Sequence, residues 1–469
     1  MADRMPNVLL VTVDCLRYDR CGFAGHHKET TPTLDSLAGD SLLFDQAYAT
    51  GTYTTESVPG MIAGLHSHNG IYFGDDPAWK AIPADHATLA THFHSIGYDT
   101  TAVLTNPHLT SERNFDSGFD EFENLSLAGG IDRAAASRSS QPDSPIDRTR
   151  SVLSRCGVLD SVPVITAGRA YQYLSEWPSI QAPMVLDVLF DSLEAVDSPF
   201  FAWTHLMDLH RPLHPDAAGS DGGGHSPSLG RQFQIDAHAA TDRFDPRFEA
   251  LYDNALRYVD NRIDEIIEWL RHENQWKDTV LIITGDHGEA LFDRGRYGHP
   301  RHYPYDELLH VPLLIRDPKG GARRLSTPFS MAWLGELIAE VIDVDPPTFP
   351  AESGVDSHLD GDIKRSPLVV SDALDAHGHS ITVRNHEFKY VTRELTETAD
   401  VDVVHTPPNG GFNILMDRGE RELLDRESTP DALTETAASV ASSPSELGRV
   451  EGKFSRTVER QLEQLGYKM

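Results

Sequence analysis

A chain of 469 residues with 72 Asp plus Glu against 40 Lys plus Arg, a formal charge of −32, is too long for one small domain. Its charge repels polyphosphates and anionic lipid, which argues against nucleic acid or a membrane surface as partner, and no apolar run reaches the roughly 20 residues of a membrane span. Only eight of the basic residues are Lys, so Arg outnumbers it four to one, a balance that reads as a hydrated, halophilic type of surface on which salt screens self-repulsion.

In chain order, the β-branched and Leu-rich run at residues 8–13, closed by Asp14, reads as a strand buried on both faces of a parallel sheet. The first ten residues lead straight into it and leave no room for a removable signal, so a cytoplasmic location is expected. Residues 33–38 read as a helix. A small-residue, hydroxyl-rich stretch at 50–64 is suited to open a helix and present a hydroxyl nucleophile. A helix at 89–96 and a strand at 101–104 continue the βαβ alternation to about residue 125. From 126 to about 163 the chain turns rich in Ser, Asp, Arg and Pro, which reads as a polar surface insertion.

Residues 200–205 read as another strand and 219–224 as a flexible Gly-rich loop. Residues 248–271 show helical periodicity, with Leu251, Ala255, Tyr258, Ile263, Ile266, Ile267 and Leu270 on one apolar stripe. A second buried strand at 280–283 ends in Thr284-Gly285-Asp286-His287-Gly288. Beyond residue 365 the pattern changes to short strands at 368–370, 380–383, 388–391 and 412–415, followed by an expected helix from 444 to 465. Cys15, Cys21 and Cys156 form no disulfide framework.

Parallel strands present functional groups at their carboxyl ends, where Asp14, Asp286 and His287 fall. Two hard carboxylates and one imidazole suit a divalent ion such as Mn, Zn, Mg or Ca.

The order of motifs carries a resemblance. The opening strand with Asp14-Cys15-Leu16-Arg17 is followed by Thr31-Pro32-Thr33-Leu34-Asp35-Ser36-Leu37-Ala38, then Phe44-Asp45-Gln46-Ala47-Tyr48, Gly97-Tyr98, Phe119-Asp120, Asp286-His287-Gly288 and Glu422-Leu423-Leu424-Asp425. This succession resembles the sulfatase family of the alkaline phosphatase superfamily. The resemblance implies an α/β fold, with a large, mostly parallel sheet sandwiched by helices and a small C-terminal antiparallel sheet plus helix. The division expected is a catalytic part over 1–365 and a smaller part over 366–469. It also implies a metal-dependent hydrolase of sulfate or phosphate esters acting on a small-molecule or glycan substrate; the oligomeric state is left open.

Residue by residue, the family's nucleophile position falls on Thr54, which would also contact the metal. Sulfatases carry a Cys or Ser there, in a C/S-x-P-x-R motif oxidised to formylglycine, and this chain has neither the Cys nor the following Pro and Arg. Thr serves as nucleophile in phosphodiesterase and phospho-head-group transferase branches, so chemistry at phosphorus is favoured. Two further readings stand beside it: a transferase passing a phospho-head-group to a glycan or lipid, and a non-catalytic binding homologue. Cys15 replaces the second of two adjacent aspartates, which favours a single metal. His210 is matched to the group contacting the oxyanion or leaving group and acting as general acid, with Asp208 orienting it or binding a second metal. His108 is matched to a substrate-facing His, Asn106 stands where the family places a Lys, and His299 and Arg301 are candidates for substrate binding. His205 and His302 read as structural.

Overall fold

The structure, a computed structural model, describes residues 5–126, 181–196, 199–211, 213, 217, 247–359, 367–396, 407–456, 458, 459 and 462. The expected insertion at 126–163 and the loop at 219–224 lie outside the described residues, except Ser126.

One sheet organises the molecule. Its strands run in the order Arg323–Leu325, Leu42–Tyr48, His310–Arg316, Thr279–Gly285, Asn7–Val13, Phe200–Leu206, Asp99–Leu104 and Glu121–Asn124, with Phe329–Ser330 also paired to Leu42–Tyr48. Asn7–Val13 lies parallel between Thr279–Gly285 and Phe200–Leu206, in the register Val11 to Ile283 and Val11 to Thr204. Only His310–Arg316 runs antiparallel to its two neighbours. All seven residues of both Asn7–Val13 and Thr279–Gly285 are buried, because the sheet is covered on both faces. Val8, Leu10, Val280 and Ile282 pack with Val58, Met61, Phe93 and Leu337 on one side, while Leu9, Val11, Leu281 and Ile283 pack with Leu186, Leu251 and Ile266 on the other.

The apolar stripe lies on the 26-residue helix Arg247–His272, and each residue named for it is buried. Burying each of its Ile and Leu side chains contributes roughly 1.5–3 kcal/mol. The same helix sends the Asp260 carboxylate to the backbone N–H groups of Thr33 and Leu34, both 2.9 Å away, and so caps the helix Pro32–Ala38.

The C-terminal sheet is antiparallel, ordered Val369–Asp375, Gly378–Arg384, Phe388–Leu395 and Gly410–Asn413. Gly378, at φ 129°, closes its first hairpin where a Cβ would lie 2.1 Å from the Glu394 carbonyl. The helix on this sheet is Asp431–Val440, whose Leu433 and Ala437 pack on Ile381 and Val383.

The helix expected over 444–465 is not formed in its first part. Pro444–Glu446 is a single 3₁₀ turn, and Gly448–Val450 is a strand paired in parallel with Ile71–Phe73. Gly448 and Gly452 weaken a helix there, and the free edge of Ile71–Phe73 supplies a ladder. The described residues 456, 458, 459 and 462 are helical. Among the described residues no helix is long and apolar enough to cross a membrane.

Candidate active site

Parallel strands direct all their carboxyl ends to one edge of the sheet, and there the candidate residues meet. Asp14 follows Asn7–Val13, Asp286 follows Thr279–Gly285, Asn106 follows Asp99–Leu104 and His210 follows Phe200–Leu206. The backbone locks the first two together: Asp14 N–H donates to the Leu206 carbonyl at 2.9 Å and Asp286 N–H to the Val13 carbonyl at 3.3 Å. Gly288 must be glycine, since a Cβ would lie 2.1 Å from the Glu307 carbonyl.

Asp14, Asp286 and His287 have one ligand atom each within 4.8 Å of one another, and all three are buried. His287 Nε2 stands 3.5 Å from Asp286 Oδ2 and 3.9 Å from Asp14 Oδ1. Its Nδ1 lies 2.8 Å from the Gly288 carbonyl, which assigns the proton to Nδ1 and turns the bare Nε2 lone pair toward the carboxylates. Asp286 Oδ1 accepts from the N–H groups of His287 and Cys15, whereas Oδ2 is buried without a hydrogen-bond partner. Burial and the neighbouring Asp14 push the Asp286 carboxyl up. Burial would also raise Asp14, but His210, His205 and His287 outweigh it and hold that carboxyl well below the ordinary range.

These features fit a divalent cation. Two ligands about 2.1 Å from a common tetrahedral ion stand roughly 3.4 Å apart, close to the separations observed. A buried carboxylate oxygen without a donor and an inward imidazole lone pair are what such an ion would satisfy. Cys15 does not supply the missing carboxylate. Held at φ 62°, its thiol donates to Asp14 Oδ1 at 2.9 Å and reaches Glu289 Oε2 at 3.3 Å. Burial, with Asp14 and Glu289 adding to it, pushes the thiol up and keeps it protonated.

Thr54 opens the ten-residue helix Thr54–Ala63. Its Oγ1 lies 3.3 Å from Asp14 Oδ2 and 3.3 Å from His287 Nε2, so the hydroxyl points into the cluster. The register leaves Thr52, Thr55 and Ser57 as alternatives; Thr52 bonds to the Pro300 carbonyl and Thr55 to the Ala78 carbonyl, while Ser57 Oγ is buried without a hydrogen bond. Rings surround this point. His299 has its centroid 4.7 Å from His287, 5.1 Å from His210 and 5.2 Å from Tyr53, and His108 lies 5.9 Å from Tyr53 and 5.4 Å from Trp79. Arg301 lies over Tyr53, 4.1 Å from its centroid, and donates to Glu56 Oε1 at 3.1 Å and Thr55 Oγ1 at 3.0 Å. Its cation is therefore partly neutralised by buried Glu56.

Several sequence readings are revised. Burial pushes His210 down to about 4 and His108 well below its usual range, which favours the uncharged ring in both. Asp208 accepts from the Ala182 N–H at 3.1 Å and caps the helix Ala182–Ala195; its proximity to His210 in sequence does not make it that residue's orienter. His205, read as a core histidine, is buried, but its Nε2 stands 3.5 Å from Asp14 Oδ2, and Asn106 Nδ2 lies 3.3 Å from both groups. His302 is structural, tied to Ser380 Oγ at 2.7 Å and Asp375 Oδ1 at 3.0 Å. Sequence reasoning missed Glu289. It is buried, reaches His299 Nδ1 at 3.1 Å and has an unbonded Oε1; its only signal is its place one residue after the Asp-His-Gly triplet. A surface cleft bordered by Asn7, Gln275 and Asp343 lies at the opposite, amino ends of the strands.

Comparison with known proteins bears on the family. The family model described as sulfatase matches residues 6–339. An arylsulfatase of Clostridium perfringens is 23% identical over 346 residues, 67% of this chain and 69% of that protein. Human iduronate 2-sulfatase is 23% identical over 354 residues, 66% of this chain and 60% of that protein. Among solved structures, the phosphonate monoester hydrolase of Agrobacterium radiobacter superposes with a TM-score of 0.59 at 19% identity, covering 93% of this chain and 95% of its own.

Proposed function

The chain belongs to the sulfatase family, and on that premise we propose that it hydrolyses sulfate or phosphate esters through Thr54, with a divalent cation held by Asp14, Asp286 and His287 and with phosphorus as the favoured centre. The observation that carries this reading is the position of Thr54 Oγ1, 3.3 Å from both Asp14 Oδ2 and His287 Nε2, at the start of a helix.

When bound, a divalent cation would lower the pKa of a nearby hydroxyl and offset charge on the transferred group. Thr54 is the attacking group, its hydroxyl oriented by a hydrogen bond donated to Asp14 Oδ2. First-turn N–H groups of a helix have no intrahelical partner, so the Thr54–Ala63 amino terminus favours an anion. Arg301 adds a cation over Tyr53. The Thr54 oxygen–phosphorus bond forms as the ester oxygen leaves with its electron pair, a neutral His210 or His108 N–H donates a hydrogen bond to that oxygen, and solvent water supplies its proton. Water then displaces Thr54 in line. Thr is favoured at phosphorus because it lacks the hydrated aldehyde through which formylglycine expels sulfate. The groups named all lie before residue 365, which supports 1–365 as the catalytic part and 366–469 as the accessory one.

The test compares wild type and Thr54→Ala on aryl sulfate, aryl phosphodiester and phosphonate monoester substrates with added Mn²⁺. Phosphodiester or phosphonate turnover that drops by at least about 10³-fold in the variant is expected. Turnover by Thr54→Ala at the wild-type rate removes Thr54 from the mechanism.

A further inference from the structure

Away from the strand ends, a second set of metal-binding side chains gathers where the C-terminal sheet meets the nucleophile helix. We propose that His66, His68 and Asp372 bind a divalent metal ion of the zinc type, which fastens the C-terminal sheet to the segment that follows the helix Thr54–Ala63.

His66 and His68 follow that helix, and Asp372 lies in the strand Val369–Asp375, more than 300 positions away. One ligand atom from each lies within 4.8 Å of the others. His66 Nδ1 is 3.5 Å from Asp372 Oδ1, and His68 Nδ1 is 3.1 Å from Oδ2. The first matches the roughly 3.4 Å separation of ligands on a tetrahedral ion; the second is a hydrogen bond that an ion would replace. His66 is 8% exposed, and its Nδ1 faces the carboxylate without making a hydrogen bond. A buried ring nitrogen turned on a buried carboxylate without bonding to it is an open coordination position. His68, with 17% of its side chain exposed, leaves a path for the ion and for a water as fourth ligand.

His379 is the orienting group and not a ligand. Its Nδ1 accepts the Ser442 N–H at 3.2 Å, so the neutral ring carries its proton on Nε2 and donates it to Asp372 Oδ2 at 3.1 Å. A carboxylate fixed by a neighbouring imidazole N–H is the usual support of a metal-binding group.

Asp372 spans the helix. Its N–H donates to the Thr50 carbonyl at 2.8 Å before the helix, and its carboxylate accepts from the N–H groups of Ser67 and His68 at 3.1 and 2.8 Å after it. An ion on His66 and His68 would lock the second connection and hold Thr54 in register.

The experiment strips the full chain of metal and titrates it with Co²⁺, reading visible d–d absorption and bound equivalents. Wild type, Asp286→Asn/His287→Asn, His66→Asn/His68→Asn and the fourfold variant are compared. The proposal expects the Asp286→Asn/His287→Asn protein to retain one equivalent and the fourfold variant to lose it. No Co²⁺ bound by the former, or an undiminished equivalent in the latter, overturns it. Should the His66→Asn/His68→Asn change prevent folding, diethyl pyrocarbonate labelling of Asp286→Asn/His287→Asn decides: one equivalent of Zn²⁺ is expected to protect His68, and unchanged labelling overturns the proposal.

Discussion

At the junction with the C-terminal sheet two buried cations meet two carboxylates; at the carboxyl ends of the parallel strands two buried carboxylates meet each other. In the first region Lys389 Nζ lies 3.1 Å from Asp306 Oδ1 and 2.8 Å from Glu420 Oε2, and Arg384 Nη2 lies 2.6 Å from Asp306. Lys389 also donates to the Pro304 carbonyl, and Arg384 lies over Tyr48. In the second, among the described residues, no Lys or Arg bonds to Asp14 or Asp286, and Asp286 Oδ2 has no donor. Lys389, Arg384 and Glu420 are as buried as Asp14 and Asp286, while Asp306 keeps 31% of its side chain exposed, so burial of charged groups alone does not mark function. The difference lies in whether charge is matched within the fold: a matched set supports an interface, and an unmatched one waits for a ligand.

This contrast is open to direct attack. The largest effect is expected from Asp286→Asn, which should lower kcat/KM by at least about 10³-fold. The same change should leave the metal-free protein as stable as wild type or more so, because it removes a charge that burial opposes; urea unfolding in chelator that shows a clear loss would contradict the unmatched reading. Lys389→Ala should behave in the opposite way. It leaves Glu420 buried against Asp306 and should cost about 3–5 kcal/mol in urea unfolding, with kcat for the surviving folded enzyme near wild type.

A smaller effect belongs to Asp208. Burial pushes its carboxyl up to about 6 from a model-compound value of 3.8. A raised carboxyl favours the protonated form in the folded state, so stability should fall as pH rises between about 4 and 6 and level off above that. Its full size is on the order of 3 kcal/mol. Asp208→Asn should flatten this slope in unfolding curves measured across that range; an unchanged slope would assign it to other groups.

Asp14, Asp286 and His287 were legible because a run of buried β-branched residues ending in a ligand is a local pattern, and parallel pairing brings such ends together. Thr54 is placed by the family resemblance and not by a local pattern, which leaves Thr52, Thr55 and Ser57 as alternatives; the fold turns the Thr54 hydroxyl toward Asp14 and His287. His205 is the buried strand histidine expected, paired with Thr12 Oγ1 at 2.8 Å; its nearness to Asp14 was hidden because strand burial on both faces does not reveal which positions approach the next strand's end. The 444–465 segment was misread because its last strand depends on Ile71–Phe73, over 370 positions earlier. His66, His68 and Asp372 carry no local signature, being joined only when the C-terminal sheet docks. The downward shift of His210 and His108 comes from burial, which no spacing of residues reveals.

The bridge made by Asp372 also has a consequence for the order of events during synthesis. A chain emerging from its amino end can pair the strands carrying Asp14 and Asp286 once residue 285 is available. Thr54 already stands on its helix by then, but the contacts that fix Thr50 and His68 on either side come from residue 372. The nascent chain can therefore bring Asp14 and Asp286 together before residue 372 is available to bridge the two flanks of the helix Thr54–Ala63.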